Sequence, residues 1–473
     1  MRKERSPGFK LFMAAAIGLA LIIPLSIVYL LVSDRQHQSR VAQDNITQGW
    51  GGAQVVTGPV LVVPYDQERQ ISEQQGDRTV TRTVTERREL YLSAEQQTIN
   101  AGLEPETRSY SIYQTVTYLA SLDGTSRFAL PADFERLGVD REDLLFDEAE
   151  LRFGASDARG LQSGAEVTAN GTPVELKPGR GPNASGNSGF HGFFDWSESE
   201  PLELTWSYSV RGSRSIAIVP RGGESTIIVT SPWPHPSFGG DFIPDTKEVA
   251  EEGFTASWSV TNLALNEALV RLEDPGPPTI REAEDARFYS SADTNSGQSR
   301  AASIRLIEPV DVYNQVDRSV KYGFLFIGFT FLAFLMFDLI AGARVAAAEY
   351  LLTGVGLVLF FVLLLAFSEV IGFALAYVVA SAAVIGLLTA YSAAVLSSWK
   401  RSGVIGALLV GLYALLYILL SLEAYSLIIG SLLLFVALAA VMYATRSIDW
   451  SSVAVREDKP KGEGEQTPQV TAS

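Results

Sequence analysis

Few side chains in this 473-residue sequence stand at spacings that chemistry requires. One S-x-x-K tetrad, Ser397–Lys400, has the form of an acyl-transfer nucleophile with its base. It falls in a short polar break between two long apolar runs, and coincidence explains it better than design. Paired carboxylates are the second option, because an acid and a base flanking a glycosidic bond can cleave it. With 53 acidic residues, however, some pair lies close in any fold, and no spacing selects one. His37, His191 and His235 are far apart, cysteine is absent, and neither H-E-x-x-H nor C-x-x-C occurs. No metal or cofactor is therefore expected. A phosphate-cradling G-x-x-x-x-G-K-[ST] loop is also missing. The sequence reads as non-catalytic.

The remaining candidates concern interaction or coupling. Trp50, Gly51 and Gly52 place a large aromatic beside two residues free to adopt conformations closed to others. The alternatives are a binding feature or a turn that seats one element on another. Trp233, Pro234, Ser237 and Phe238 belong to a segment with two prolines and two aromatics, in the manner of a rigid recognition loop or of a corner folded into a core. Glu369 and Glu423 border apolar runs, where a carboxylate either relays charge or marks the end of a membrane span.

Those runs define the elements that must position these residues. Leu11–Val32 is an uncharged stretch of 22 residues, preceded by Arg2, Lys3, Arg5 and Lys10. As a helix it reaches roughly 33 Å, enough to cross a bilayer core of about 30 Å. No A-x-A site follows it, so an uncleaved anchor is expected, with a cleaved signal peptide as the alternative. Pro24 should kink the helix without ending it. Five further spans are expected at Tyr322–Ile340, Tyr350–Phe367, Val370–Tyr391, Gly403–Ser421 and Ala424–Tyr443. The breaks alternate in sign: Arg344, Lys400 with Arg401, and Arg446 on one side, Glu369 and Glu423 on the other. Positive charge stays where the chain is made, so six transmembrane helices with both termini inside follow. Ser397 and Lys400 then lie in the cytoplasm, the wrong side for a cell-wall substrate.

The expected domains are an N-terminal anchor (1–32), an extracytoplasmic domain (33–318), a five-helix bundle (319–446) and a disordered cytoplasmic tail (447–473). Residues 33–318 carry 25 basic and 43 acidic side chains, a net of −18, which disfavours nucleic acid as a partner. After a polar stretch that continues the first helix (Ser33–Gln48), β signals dominate. Pro59–Pro64 reads as a short strand bounded by prolines, and Thr79–Leu92 alternates. Ser215–Val219 and Ser225–Thr230 read as a hairpin around Arg221-Gly-Gly. Antiparallel, sandwich-like packing is expected. Lys177–Gly192 and Glu273–Thr279 read as irregular connections.

A family likeness emerges from longer blocks. Trp50-Gly-Gly-Ala-Gln54 with Thr57-Gly-Pro-Val-Leu-Val-Val-Pro-Tyr65, then Ser237-Phe-Gly-Gly-Asp-Phe-Ile-Pro244 with Gly253-Phe-Thr-Ala-Ser-Trp258, resemble the CreD family of inner-membrane cell-envelope integrity proteins. Glu308–Tyr313, Arg318–Gly323, Ser368–Phe373, Gly430–Phe435, Thr445-Arg446 and Asp449-Trp450 extend the resemblance. Leu263–Leu265 departs from it in lacking an Arg after the tryptophan block. The resemblance implies a bacterial multi-pass inner-membrane protein with a large periplasmic domain. It also implies a non-catalytic role in envelope integrity and envelope stress, linked to β-lactam-responsive regulation. Expected partners are the lipid bilayer and an envelope protein or cell-wall-linked component, with a homo-oligomer as a further arrangement. A small-molecule or lipid-linked transporter is the alternative, and an extracytoplasmic hydrolase ranks third.

Overall fold

The computed structural model describes residues 7–75, 78–110, 113–132, 134–196, 201–279, 298–307, 312–340, 346–396, 398–421 and 426–446. The chain divides into two compact units, residues 39–309 and residues 1–38 with 310–473. The boundaries differ from the expected 33 and 318. Gln36 hydrogen-bonds Asn314 at 3.0 Å, and Val316 and Val320 are buried in the helical core, so both flanks belong with the helices.

The helices are α1 (Pro7–Ala20), α2 (Ile22–Trp50), α3 (Asn262–Leu265), α4 (Val312–Lys321), α5 (Gly323–Ile340), α6 (Ala347–Ile371), α7 (Phe373–Leu396), α8 (Trp399–Ser421) and α9 (Ser426–Thr445). Helix-type bonds from Leu21 to Ile17 and from Leu25 to Leu21 carry α1 into α2. The break at Leu21 reflects Pro24, which has no N–H to offer the carbonyl four residues back. Among the described residues, four helices are long and apolar enough to cross a membrane: Phe9–Thr47, Ala347–Ile371, Phe373–Val395 and Trp399–Leu420. A fifth arises if α4 and the following helix, bent by 41°, count as one span. Helices thus stand at all six expected positions, but two breaks move. The apolar run Val370–Tyr391 is interrupted at Gly372, whose φ of 77° suits glycine, so Glu369 lies in the last turn of α6. Lys400 and Arg401 lie in the first turn of α8. Glu423, Ser397 and residues 447–473 are outside the described residues.

The other unit is built on strands β1 (Gln54–Gln75), β2 (Arg78–Leu92), β3 (Gln96–Tyr110), β4 (Tyr113–Phe128), β5 (Ala149–Ala155), β6 (Glu166–Ala169), β7 (Thr172–Pro173), β8 (Lys177–Pro178), β9 (Gly189–Phe194), β10 (Leu202–Ser213), β11 (Ser215–Val219), β12 (Glu224–Ser231), β13 (Pro236–Gly240), β14 (Thr246–Ala250), β15 (Gly253–Thr261), β16 (Val270–Arg271) and β17 (Ala302–Leu306). One sheet runs β13-β17-β11-β1-β5-β9-β8, with β2 on β1 and β16 on β2; the other runs β14-β15-β12-β3-β4-β10-β6-β7. They face each other across one hydrophobic core. Phe153 of β5 meets Trp206 and Tyr208 of β10, and Phe238 of β13 meets Phe254 and Trp258 of β15. Alternating burial along β10, β12 and β15 is the period-2 pattern of strands with one face on that core.

Several strand expectations change. The sandwich is mixed, since β1 pairs with β11 and β12 with β3 in parallel. Pro59 and Pro64 lie inside one 22-residue strand instead of bounding a short one. A register shift between Thr57 and Val60 absorbs the first. The carbonyl of Pro64 accepts from Leu145, so the proline nitrogen faces away from β2 and beyond the pairing with β5, which stops at Val62. The Ser215–Thr230 segment is not a hairpin. β11 and β12 belong to different sheets, and Pro220–Gly223 crosses between them. Lys177–Gly192 is not an irregular connection throughout, because Gly189–Phe194 pairs along β5.

Candidate functional site

A dense polar cluster of the β-rich unit lies on the outer face of the first sheet. Its floor is Val60 and Val62 of β1, 1% and 0% exposed. Strand alternation directs Glu89 and Tyr91 of β2, Glu150 and Arg152 of β5, and His191 of β9 onto the same face. Pairing brings them together: Pro64 opposes Glu89, Val62 opposes both Tyr91 and Glu150, and Arg152 opposes His191. Arg152 donates to Glu89 through both terminal nitrogens, at 3.0 and 2.5 Å, and to Glu150 at 2.8 Å. Arg180 approaches Glu89 at 3.4 Å and Glu150 at 3.2 Å. Tyr91 donates to Glu89, while His191 stands 3.9 Å from Glu150 and turns Nδ1 to the Gly179 carbonyl.

Burial alone would raise the Glu89 carboxyl, but hydrogen bonds from Arg152 and Tyr91 outweigh it and hold the group below its ordinary value. Burial also pushes the Tyr91 phenol up to about 12, with Glu89 adding to the effect. Against the penalty of its own burial, Arg152 is held more firmly protonated by the two glutamates. Glu89 and Arg152 are therefore held ionised and brace each other.

A second ion pair adjoins it. Arg221, 1% exposed, donates to Asp274 at 3.0 Å, and Asp274 also accepts from the backbone N–H of Asn183. Burial lowers the Arg221 pKa. Nε and Nη1 of Arg221 and Nε2 of Gln97 find no hydrogen-bond partner among the described residues. Glu89, Glu150 and Asp274 thus balance Arg152, Arg180 and Arg221. Such an arrangement can fix the cover of the sheet or present hydrogen-bonding groups, and Glu89, held below its ordinary value, is not poised as a proton donor. Sequence reading missed the cluster. Its signal was alternation: Glu150-Leu-Arg152 and Glu89-Leu-Tyr91 put polar groups at every second place of otherwise apolar strands. His37 and His235 do not join it, and no group of three metal-ligating side chains occurs among the described residues.

The expected interaction residues take other places. The Trp50 indole lies between the guanidinium groups of Arg108 and Arg211, 3.6 and 4.1 Å from its ring centre. Gly51 has φ 137°, and a Cβ there would stand 2.7 Å from the Arg211 carbonyl oxygen. Gly52 donates its N–H to Asp157 at 3.1 Å. Arg159, seconded by that backbone bond, holds the Asp157 carboxyl down at about 2. Together with Gln43 on the Gln114 carbonyl and Asp44 on Arg214, this seats the C-terminal part of α2 on the sheets. It is a structural turn.

Trp233 is half-buried and donates its indole N–H to the Ile307 carbonyl at 3.0 Å. Pro234 and Ser237 are also half-buried, and Phe238 packs against Phe254 and Trp258, so this segment is a corner folded onto the core. Only His235 in it points fully outward. In the helical unit, Glu369 accepts from Tyr313 at 3.2 Å and lies 3.9 Å from Arg35.

A family model described as "Inner membrane protein CreD" matches residues 6–451. The chain is 31% identical over 456 residues to "Inner membrane protein CreD" of Escherichia coli (strain K12), covering 94% of each sequence. Among solved structures, the M1 zinc metallopeptidase of Deinococcus radiodurans overlaps 36% of this chain and 39% of its own, at 10% identity and a TM-score of 0.19, too low to bear on fold or function. A mutant of the same enzyme, solved with a bound peptide substrate, gives 11% identity over the same shares of the two chains and the same TM-score. By the extent of the family match and the identity across nearly the whole length, the chain belongs to the CreD family of inner membrane proteins.

Proposed function

We propose that the chain spans the inner membrane six times with both termini in the cytoplasm. Its β-rich unit faces the periplasm and supports envelope integrity by binding there, without turnover. The observation that carries the non-catalytic part is the state of the deep carboxylates. Glu89 and Glu150 each face Arg152 and Arg180, and Glu89 is held ionised by its partners instead of standing ready to exchange a proton. The topology rests on the alternation of basic and acidic breaks.

Impermeant thiol labelling tests the topology, since the sequence has no cysteine of its own. In cells with a permeabilised outer membrane, Ser163→Cys in an exposed bend should react and Trp399→Cys should not. The reverse pattern refutes it. A photo-crosslinker at the exposed His235 should trap an envelope component, whereas turnover of a cell-wall substrate by purified protein would overturn the binding role.

Transport remains the second reading. Thr330 Oγ1, Ser392 Oγ and Tyr413 Oη are buried in the helical unit with no hydrogen-bond partner among the described residues. Unsatisfied hydroxyls in an apolar bundle need water or cargo. Substrate movement into liposomes by the purified protein would establish it.

A further inference from the structure

The outer face of the second sheet carries an array that the sequence alone conceals. Pairing aligns Ser259 of β15 with Thr226 of β12, Thr226 with Thr98 of β3, and Thr98 with Thr125 of β4. Thr125 then opposes Thr205 of β10, and Thr205 opposes Thr168 of β6. Six strands thus contribute one hydroxyl each to a continuous row. Adjacent strands are about 4.8 Å apart, and the next outward row lies about 6.8 Å along them. That second row includes Asn100, Asp123, Ser207 and Glu166. Asn100 donates to Asp123 at 2.9 Å.

The two rows line a concavity of about 250 Å³ over β3, β4, β10 and β6, slightly below the roughly 300 Å³ at which small-ligand pockets usually begin. No Lys or Arg is among the described residues lining it. Beneath it the strands turn Ile99, Trp206 and Val167 inward, at most 3% exposed, so the platform is rigidly backed.

Threonine suits exposed strands, but propensity alone is an incomplete account. Valine, isoleucine and tyrosine suit them equally, yet none stands in the first row. The chemistry is selective. Each hydroxyl donates one hydrogen bond and accepts two, the amide does both, and the carboxylates accept from paired hydroxyls. With no cation in the concavity, an anionic ligand would be poorly served. A ligand that both donates and accepts at short, regular intervals, and carries no charge, matches it.

We infer that the threonine rows of the second sheet form a binding platform for a neutral polyhydroxylated chain, an oligosaccharide. The inference rests on the proposed binding role and names its ligand class. Its test uses purified protein, so failure here leaves the topology standing, and failed labelling leaves the binding result standing.

Titration calorimetry on the full chain in lipid nanodiscs, with cellotetraose and N-acetylchitotetraose as probes, provides the measurement. At least one should bind saturably, with affinity changing less than about twofold between ~0.05 and ~0.5 M salt, because no ion pair is made. Thr125→Val with Thr205→Val should weaken binding roughly tenfold, the loss of one or two hydrogen bonds. Thr125→Ser with Thr205→Ser should retain it, and Thr255→Val, outside the concavity on the same sheet, should leave it unchanged. Absence of saturable binding by both probes overturns the inference, as does equal binding by the valine variant. Salt-sensitive capture of oligolysine in place of the sugars overturns it too and assigns the face to a cationic partner.

Discussion

Arg221 and Asp274 meet at 3.0 Å with the guanidinium 1% exposed, joining the crossover between the two sheets to the 273–279 segment. A charge so placed is stable only while its counter-charge stays. Replacing Asp274 with Ala leaves the guanidinium buried and uncompensated, a loss of about 3–5 kcal/mol. Arg221→Met in the same background removes the orphan and should recover most of it, because an apolar side chain of similar length tolerates the site. Hydrogen exchange of β-rich peptides in the full chain reads both. Equal destabilisation by the single and double variants would contradict this account.

Acid sensitivity follows from groups held below their ordinary values. Glu89 starts from 4.5, and Asp157 starts from 3.8 and is held at about 2. A lowered folded value means the unfolded chain takes up the proton first. Their contribution is complete above the ordinary value and is lost as pH falls through the folded one. The β-rich unit should therefore lose stability progressively from about pH 4.5 toward pH 2, with Glu89→Gln flattening the upper part of the decline. Tyr91 acts at the other end. Raised from 10.0 to about 12, it contributes stability that disappears as pH climbs through that interval. A stability profile flat from pH 2 to pH 5 would be inconsistent with these assignments.

Gly49 and Gly51, two residues apart, should respond in opposite directions to alanine. Gly49 closes α2 with nothing within 4 Å of a new Cβ, so alanine should be neutral or stabilise by up to about 1 kcal/mol. Gly51 sits at φ 137° against the Arg211 carbonyl, and alanine there should cost at least about 1–3 kcal/mol. Protease resistance of the Trp50–Gly52 junction measures the difference. Similar behaviour of the two would remove the claim that this turn is shaped by its glycine.

These junctions mark how far the sequence could be read. Hydropathy located each long apolar helix, because a bilayer-length apolar run has few other solutions, but not the polar α3 and α4. Helix ends were less legible: Glu369 looked like a break, yet the helix ends at Gly372, where φ turns positive. Strand positions followed alternation, but pairing did not. Ser215–Val219 and Ser225–Thr230 have the spacing of a hairpin and belong to different sheets, a choice made by core packing far away in sequence. The same limit hid the Glu89–Arg152–Glu150 cluster and the threonine row. Each gathers residues from several strands, and only register unites them.

Glu369 separates the two readings of the helical unit. It accepts from Tyr313 of α4 and lies near Arg35 of α2, with 14% of its side chain exposed. As a brace it needs an acceptor oxygen and not a titrating proton. Glu369→Gln should therefore leave hydrogen exchange in α4 and the protein's function intact. Glu369→Leu removes the acceptor of the Tyr313 bond and should speed hydrogen exchange in α4 by about five- to tenfold, a loss near 1 kcal/mol. Tyr313→Phe should do the same, and combining it with Glu369→Leu should add little, since the pair shares one bond. If Glu369→Gln abolishes function while exchange in α4 is unchanged, the carboxyl proton itself is in use. The brace then gives way to a relay, and transport becomes the better account of the bundle.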